Sequence, residues 1–168
     1  MASGDAVVQV IRAMPPAASV AGPAIRQGGS TPAEVFEGWA FDAATDEYMD
    51  FLCAMKGYAG GGLTFILPWS AASATTGVTR WGIAIRRLQD DVEDIDTAQT
   101  YDFNEVDDTT ATVSGEVAYA TVTFTNGVDM DSWADGELAV ARIFRNADHA
   151  NDTMTGDAQL WDWFAYET

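Results

Sequence analysis

The sequence predicts an all-β fold, an antiparallel sandwich or barrel of about eight strands. Three observations carry that prediction. From Val35 onward, apolar segments of strand length are separated by turn residues. Within several of them large apolar side chains recur at every second position, and no stretch of helical periodicity runs beyond about two turns. Residues 131–134 are the best candidate for a short helical turn.

Residues 1–33 stand apart from the rest. They hold Pro15, Pro16, Pro23 and Pro32, many Ala and Gly, and no aromatic residue, which is the composition of an extended arm. Their charge differs too: Arg12 and Arg26 against Asp5 give +1, whereas residues 34–168 carry 6 basic and 25 acidic groups, a net −19. A near-neutral arm can lie against an acidic neighbour without repulsion. Val7, Val8, Val10 and Ile11 offer it a strand to add to a partner's sheet, with Arg12 and Arg26 as charged contacts; a frayed terminus is the alternative. The expected division is therefore an N-terminal arm, 1–33, and a β domain, 34–168, that folds without it.

In that domain residues 35–41, 62–69, 78–88, 117–124, 138–144 and 160–166 read as strands, with weaker ones at 47–54 and 100–106. In 78–88, Trp81, Ile83, Ile85 and Arg87 share one face, and Gly82, Ala84 and Arg86 the other. In 138–144 both faces are mostly apolar, so that strand belongs in the middle of a sheet. In 160–166 strict alternation places Trp161 and Trp163 on one face, which covers either the chain's own core or a neighbour and is a candidate contact surface. Gly60-Gly61-Gly62, Thr76-Gly77, Asn126-Gly127, Asp135-Gly136 and Thr155-Gly156 supply turns between the runs.

A chain of 168 residues with 48% hydrophobic and 11% aromatic content is large enough to bury roughly two-thirds of its unfolded surface in one core. Its 26 acidic residues oppose 8 basic ones, and Lys56 is the only lysine. Clustered cations are what phosphate backbones and anionic membrane surfaces require, so neither nucleic acid nor membrane is an expected partner. Such a surface suits water of high ionic strength, where self-repulsion is screened. Cys53 is the single cysteine, so no internal disulfide can form, and it reads as a small core residue. The N-terminus has no basic region, and Gln9 and Arg12 interrupt its apolar run, so no signal peptide, transmembrane segment or secretion is expected.

No catalytic constellation emerges. His149 is the only imidazole and lies in a polar loop with no G-x-S-x-G motif beside it. Carboxylates are too numerous to single out a glycosidase pair. Two loops have the oxygen content of calcium sites: Asp90, Asp91, Glu93, Asp94 and Asp96, then Asp148, Asn151, Asp152 and Asp157. Neither has EF-hand spacing, so solvated acidic loops are the expectation, with calcium as the alternative and no other cofactor. The glycine-rich run 57–62 lacks a Gly-Lys-Ser/Thr ending and is no phosphate loop. Tyr58, Trp69, Tyr101 and Trp133 are candidates for stacking on sugar rings, against the simpler assignment to a sandwich core.

Several segments resemble a known group: Phe36-Glu-Gly-Trp-Ala-Phe-Asp, the run 54–63, Trp69-Ser-Ala-Ala-Ser-Ala-Thr-Thr-Gly with Val78-Thr-Arg-Trp-Gly, Phe124-Thr-Asn-Gly-Val-Asp-Met-Asp, Arg142-Ile-Phe-Arg-Asn and the run 152–160. In this order they resemble small structural proteins of the virions of tailed bacteriophages and related prokaryotic viruses. The resemblance covers residues 35–165 and excludes the arm. It implies a jelly-roll-like β-sandwich built into the particle. The implied role is a capsid decoration (cement) protein, made in the host cytoplasm, that binds the major capsid protein as a homotrimer. The alternative is a receptor- or glycan-binding domain of a tail fibre or spike. It implies no catalytic residue.

Overall fold

The computed structural model describes residues 4–168. Eleven strands form two antiparallel sheets packed face to face, a jelly-roll-like sandwich, and the described residues contain no α-helix. The strands are β1 (Val8–Met14), β2 (Gly22–Gln27), β3 (Val35–Phe41), β4 (Glu47–Met55), β5 (Leu63–Ala71), β6 (Val78–Leu88), β7 (Asn104–Thr109), β8 (Ala118–Phe124), β9 (Leu138–Arg145), β10 (Ala158–Leu160) and β11 (Phe164–Glu167). The first sheet runs β1-β4-β9-β6-β7. In the second, β5 pairs with β8 along one edge and with β11 and β10 along the other, and β3 then β2 follow β10.

Seven of the eight expected segments are strands, with shifted ends, the eighth (160–166) is broken in two, and β9 is central as its two apolar faces require. The helical turn forms slightly earlier than expected, as one 3₁₀ turn at Val128–Met130.

The arm is where expectation and structure part. Residues 8–14 and 22–27 are extended, but they do not stand off the domain. β1 pairs with β4 from Val8 to Met14, with a bulge at Ile11, and β2 pairs with β3 along its whole length. Val7, Ala21 and Ala24 are buried. The prolines misled because edge strands tolerate them: Pro15 and Pro16 follow β1, and Pro23 sits in β2, at the margin of its sheet. The chain ends meet on β11, where Gly4 N–H donates to Glu167 C=O at 2.8 Å, Glu167 N–H to Asp5 C=O at 3.1 Å and Val7 N–H to Ala165 C=O at 3.3 Å.

The core lies between the sheets and is built from alternate residues of both. Phe65, Leu67 and Trp69 of β5 meet Trp81 and Ile83 of β6, with Phe41, Met49 and Ile143 beside them. Trp81 takes Phe41 edge-on at 5.1 Å and Trp69 at 5.9 Å. One end is locked by Arg145, whose side chain is 0% exposed and pairs with Asp152 at 2.7 Å. The guanidinium also donates to Gly156 C=O and Met154 C=O, so its donors are met by acceptors that fix residues 152–156.

The last expected strand is split. β10 ends at Leu160, β11 begins at Phe164, and the residues between shift the alternation by one. Trp163 therefore turns inward between Phe51 and Phe65, and Trp161 turns outward. Trp161 and Trp163 do not share a face.

Candidate ligand-binding groove

The outer faces of the two sheets differ in what covers them. On the first, Phe144 of β9 stacks on Tyr48 of β4 at 5.4 Å, and Gly82 of β6 leaves room for it: a Cβ there would lie 2.1 Å from the ring. Loop 89–103 folds down over this patch. Phe103 reaches Phe144 at 4.3 Å, Tyr101 lies 3.9 Å from the Arg142 guanidinium, and Arg86 Nη2 donates to Asp94 C=O. Beneath, Arg142 forks onto Asp50 with two bonds of 2.7 Å, and these hydrogen bonds raise its pKa. This face is roofed.

On the second sheet the outward positions are Tyr119, Thr121 and Thr123 of β8, Ile66, Pro68 and Ser70 of β5, Gln159 of β10, Phe36 and Gly38 of β3, and Arg26 of β2. Trp161 lies over them because three things allow it. The break after β10 aims it outward, its indole N–H donates to Ser70 Oγ at 3.0 Å, and Gly38 carries no side chain where its ring passes. A Cβ on Gly38 would sit 3.0 Å from the Trp161 ring and 2.2 Å from Leu160 C=O. Phe36 meets Trp161 edge-on at 6.3 Å.

The result is an open groove of about 410 Å³ walled by Phe36, Trp161, Pro68, Tyr119 and Val117. Phe36 is 54% exposed and Tyr119 62%. Among the described residues Arg26 is the only charged one in its lining. The Arg26 side chain is clamped in place: Nη2 donates to Ala72 C=O at 2.8 Å and Ala71 C=O at 3.2 Å, and Nε to Gln159 Oε1 at 3.3 Å.

Of the expected contact residues, the groove brings together Arg26 and Trp161. Val7 and Trp163 are core, Val8 is half-buried, and Val10, Ile11 and Arg12 are exposed on β1, at the edge of the other sheet. Asp152 is the buried partner of Arg145, while Asp148 is exposed nearby. Asp90, Asp91, Asp94 and Asp96 are exposed along loop 89–103, where Asp94 Oδ1 accepts from Asp96 N–H. Among the described residues no three Asp, Glu, His or Cys side chains converge to hold a metal. His149 Nδ1 accepts from the Asn151 N–H of its own loop.

The four aromatics proposed for stacking lie elsewhere. Trp69 and Trp133 are buried, Tyr101 roofs the other sheet, and the Tyr58 hydroxyl bridges Asn126 Oδ1 and Gly62 N–H. The platform uses Phe36 and Tyr119 instead. Alternation in residues 117–124 carries the signal for Tyr119, since it shares a phase with Thr121 and Thr123, opposite the apolar Ala120, Val122 and Phe124.

No protein-family model matches the chain, and no curated protein is significantly similar to it. Among solved structures it is similar to TmCBM61 in complex with β-1,4-galactotriose, at 10% identity over 94% of this chain and 88% of that one, TM-score 0.39. It is also similar to a family 11 carbohydrate-binding module from Clostridium thermocellum in complex with a β-1,3-1,4-mixed-linked tetrasaccharide. There the identity is 11% over 97% and 96% of the two chains, with a TM-score of 0.40.

Proposed function

We propose that this chain is a non-catalytic binding domain whose groove on the second sheet takes the rings of a glycan. The observation that carries the reading is the strip formed by Tyr119, Pro68, Trp161 and Phe36. It leaves apolar rings exposed on a pleated surface, in a chain that buries or roofs most of its other large aromatics. Exposed apolar area of that kind marks a binding surface. The C–H face of a pyranose ring stacks on aromatic planes, while polar groups in the lining, Arg26 and Gln27, are placed to meet hydroxyls. No acidic residue among those described lines the groove, so the carboxylate pair of a glycosidase is missing where the sugar lies. Binding without turnover is the chemistry that remains.

The test is retention on a panel of polysaccharide gels, followed by calorimetry on the oligosaccharide that binds. Phe36→Ala and Tyr119→Ala should each weaken affinity at least about tenfold while leaving the melting temperature within a degree or two, because both rings are more than half exposed. A panel with no binder, or variants that bind normally, overturns the reading.

The resemblance to tailed-phage virion proteins suggests where such a domain works, in a fibre or spike that meets a cell-surface glycan. A second reading, a trimeric decoration protein on the major capsid protein, is favoured by Ile25 and Val35. These are 68% and 56% exposed beside the free edge of β2. Copy number in purified particles separates the two: a few per particle for a fibre, a number close to that of the capsid protein for decoration.

A further inference from the structure

Resting on the sugar-binding reading of the groove, we infer that Arg26 makes the site selective for a carboxylated sugar, a hexuronic acid residue, over the neutral hexose. The chain carries 26 acidic residues against 8 basic ones, and four of its arginines are neutralised within the fold, while Arg86 lies away from the groove with its Nη2 on Asp94 C=O. Arg80, Arg87, Arg142 and Arg145 each pair with at least one carboxylate. Arg26 does not. Its three hydrogen bonds go to two backbone carbonyls and one amide oxygen, neutral acceptors that fix the plane of the guanidinium and leave its charge uncompensated.

The remaining nitrogen, Nη1, makes no hydrogen bond to the described residues, and it lies where Gly115 leaves space: a Cβ at that position would fall 1.7 Å from it. The acid next to Gly115 in sequence, Glu116, is turned back into its own loop, where its carboxylate accepts from Val113 N–H. A half-buried cation in an apolar groove lacks water on one side and a counter-charge on the other. A ligand carboxylate supplies that counter-charge through a charge-assisted hydrogen bond. A uronic acid presents the two features together, an apolar ring face for Trp161 and Tyr119 and a planar carboxylate on C5 for Arg26.

The test uses the intact protein and calorimetric titration with oligomers of glucuronic and of galacturonic acid, their methyl esters, and neutral hexose oligomers of the same length and linkage. For one of the two series the acid should bind at least about tenfold more tightly than its methyl ester, which keeps the ring and removes only the charge. Arg26→Gln should bring acid and ester to the same affinity, and Arg26→Lys should restore part of the preference. Equal binding of acid and ester by the unaltered protein overturns the selectivity and leaves the groove reading intact. Binding by none of the sugars overturns both. Sulfated hexose oligomers binding as tightly as the acid would overturn the carboxylate assignment and show that Arg26 reads charge alone.

Discussion

Cys53 shows how much one position can be read from sequence. A lone cysteine in an apolar run was expected to be core, and it is: it is 0% exposed, and its thiol donates to Ala139 C=O. Burial pushes its pKa up to about 12. The folded protein should therefore not react with an aromatic disulfide reagent at about pH 8 and should react stoichiometrically once denatured; rapid native reaction would contradict the burial. Asp152 shows the opposite. In sequence it is one acid among many in a polar loop, and nothing local marks it as the partner of Arg145, seven residues earlier across the end of the sandwich. Asp152→Asn leaves a fully buried guanidinium without its counter-charge. Urea titration should show a loss of about 3–5 kcal/mol, and replacing both residues together by apolar ones of similar volume should recover much of it. Trp161 lies between these cases: alternation marks it as covering either the core or a neighbour, and its half-buried place on the outer face depends on Gly38 and Ser70, which come from strands far away in the chain.

At the scale of elements, alternation identified the strands that have one buried and one outer face, and it failed where that condition fails. β1 and β2 are edge strands, so much of their length stays exposed and their composition carries no buried stripe. The final strand was legible but its break was not, because a one-residue change of phase is decided by which ring the core accepts, here Trp163 between Phe51 and Phe65. By composition residues 1–30 read as dispensable to the domain. The pairing of β1 with β4 and β2 with β3 reverses that expectation. Removing these residues exposes the edges of β4 and β3 and deprives the core of Val7, Ala21 and Ala24. The truncated protein should aggregate or melt without a cooperative transition in scanning calorimetry. A truncation with an unchanged transition would show that the two strands contribute nothing to stability.

For the whole molecule, the −18 net charge acts against compactness at neutral pH and low salt. Burial raises the pKa values of Asp46 and Glu47, so these groups favour the fold when protonated; their contribution is present at low pH and is lost as pH rises through their folded pKa values. Glu137 is lowered chiefly by its hydrogen bonds from Arg87, and Asp42 chiefly by that from Ala44 N–H. Their contribution is present at neutral pH and lost as pH falls through their folded values. Both signs together predict a melting temperature that rises from pH 7 to a maximum near about pH 5 and falls below about pH 4. At pH 7, added salt should raise it as the Debye length shrinks below about 8 Å. A melting temperature indifferent to salt, or one that falls steadily on acidification, would mean that surface charge is not what limits stability. The meeting of the two chain ends has a mechanical side. Gly4–Val7 and β11 run antiparallel with both ends of the chain at the same end of the seam, so tension between them would open hydrogen bonds one after another, as a zipper opens, instead of loading the whole row at once. From the C-terminal side β11 must then peel from β5, and the residues drawn off after it are Trp163 and Trp161. A pull on the ends should therefore dismantle the groove early, and extending single molecules with and without bound sugar should show the ligand shifting that first, low-force step.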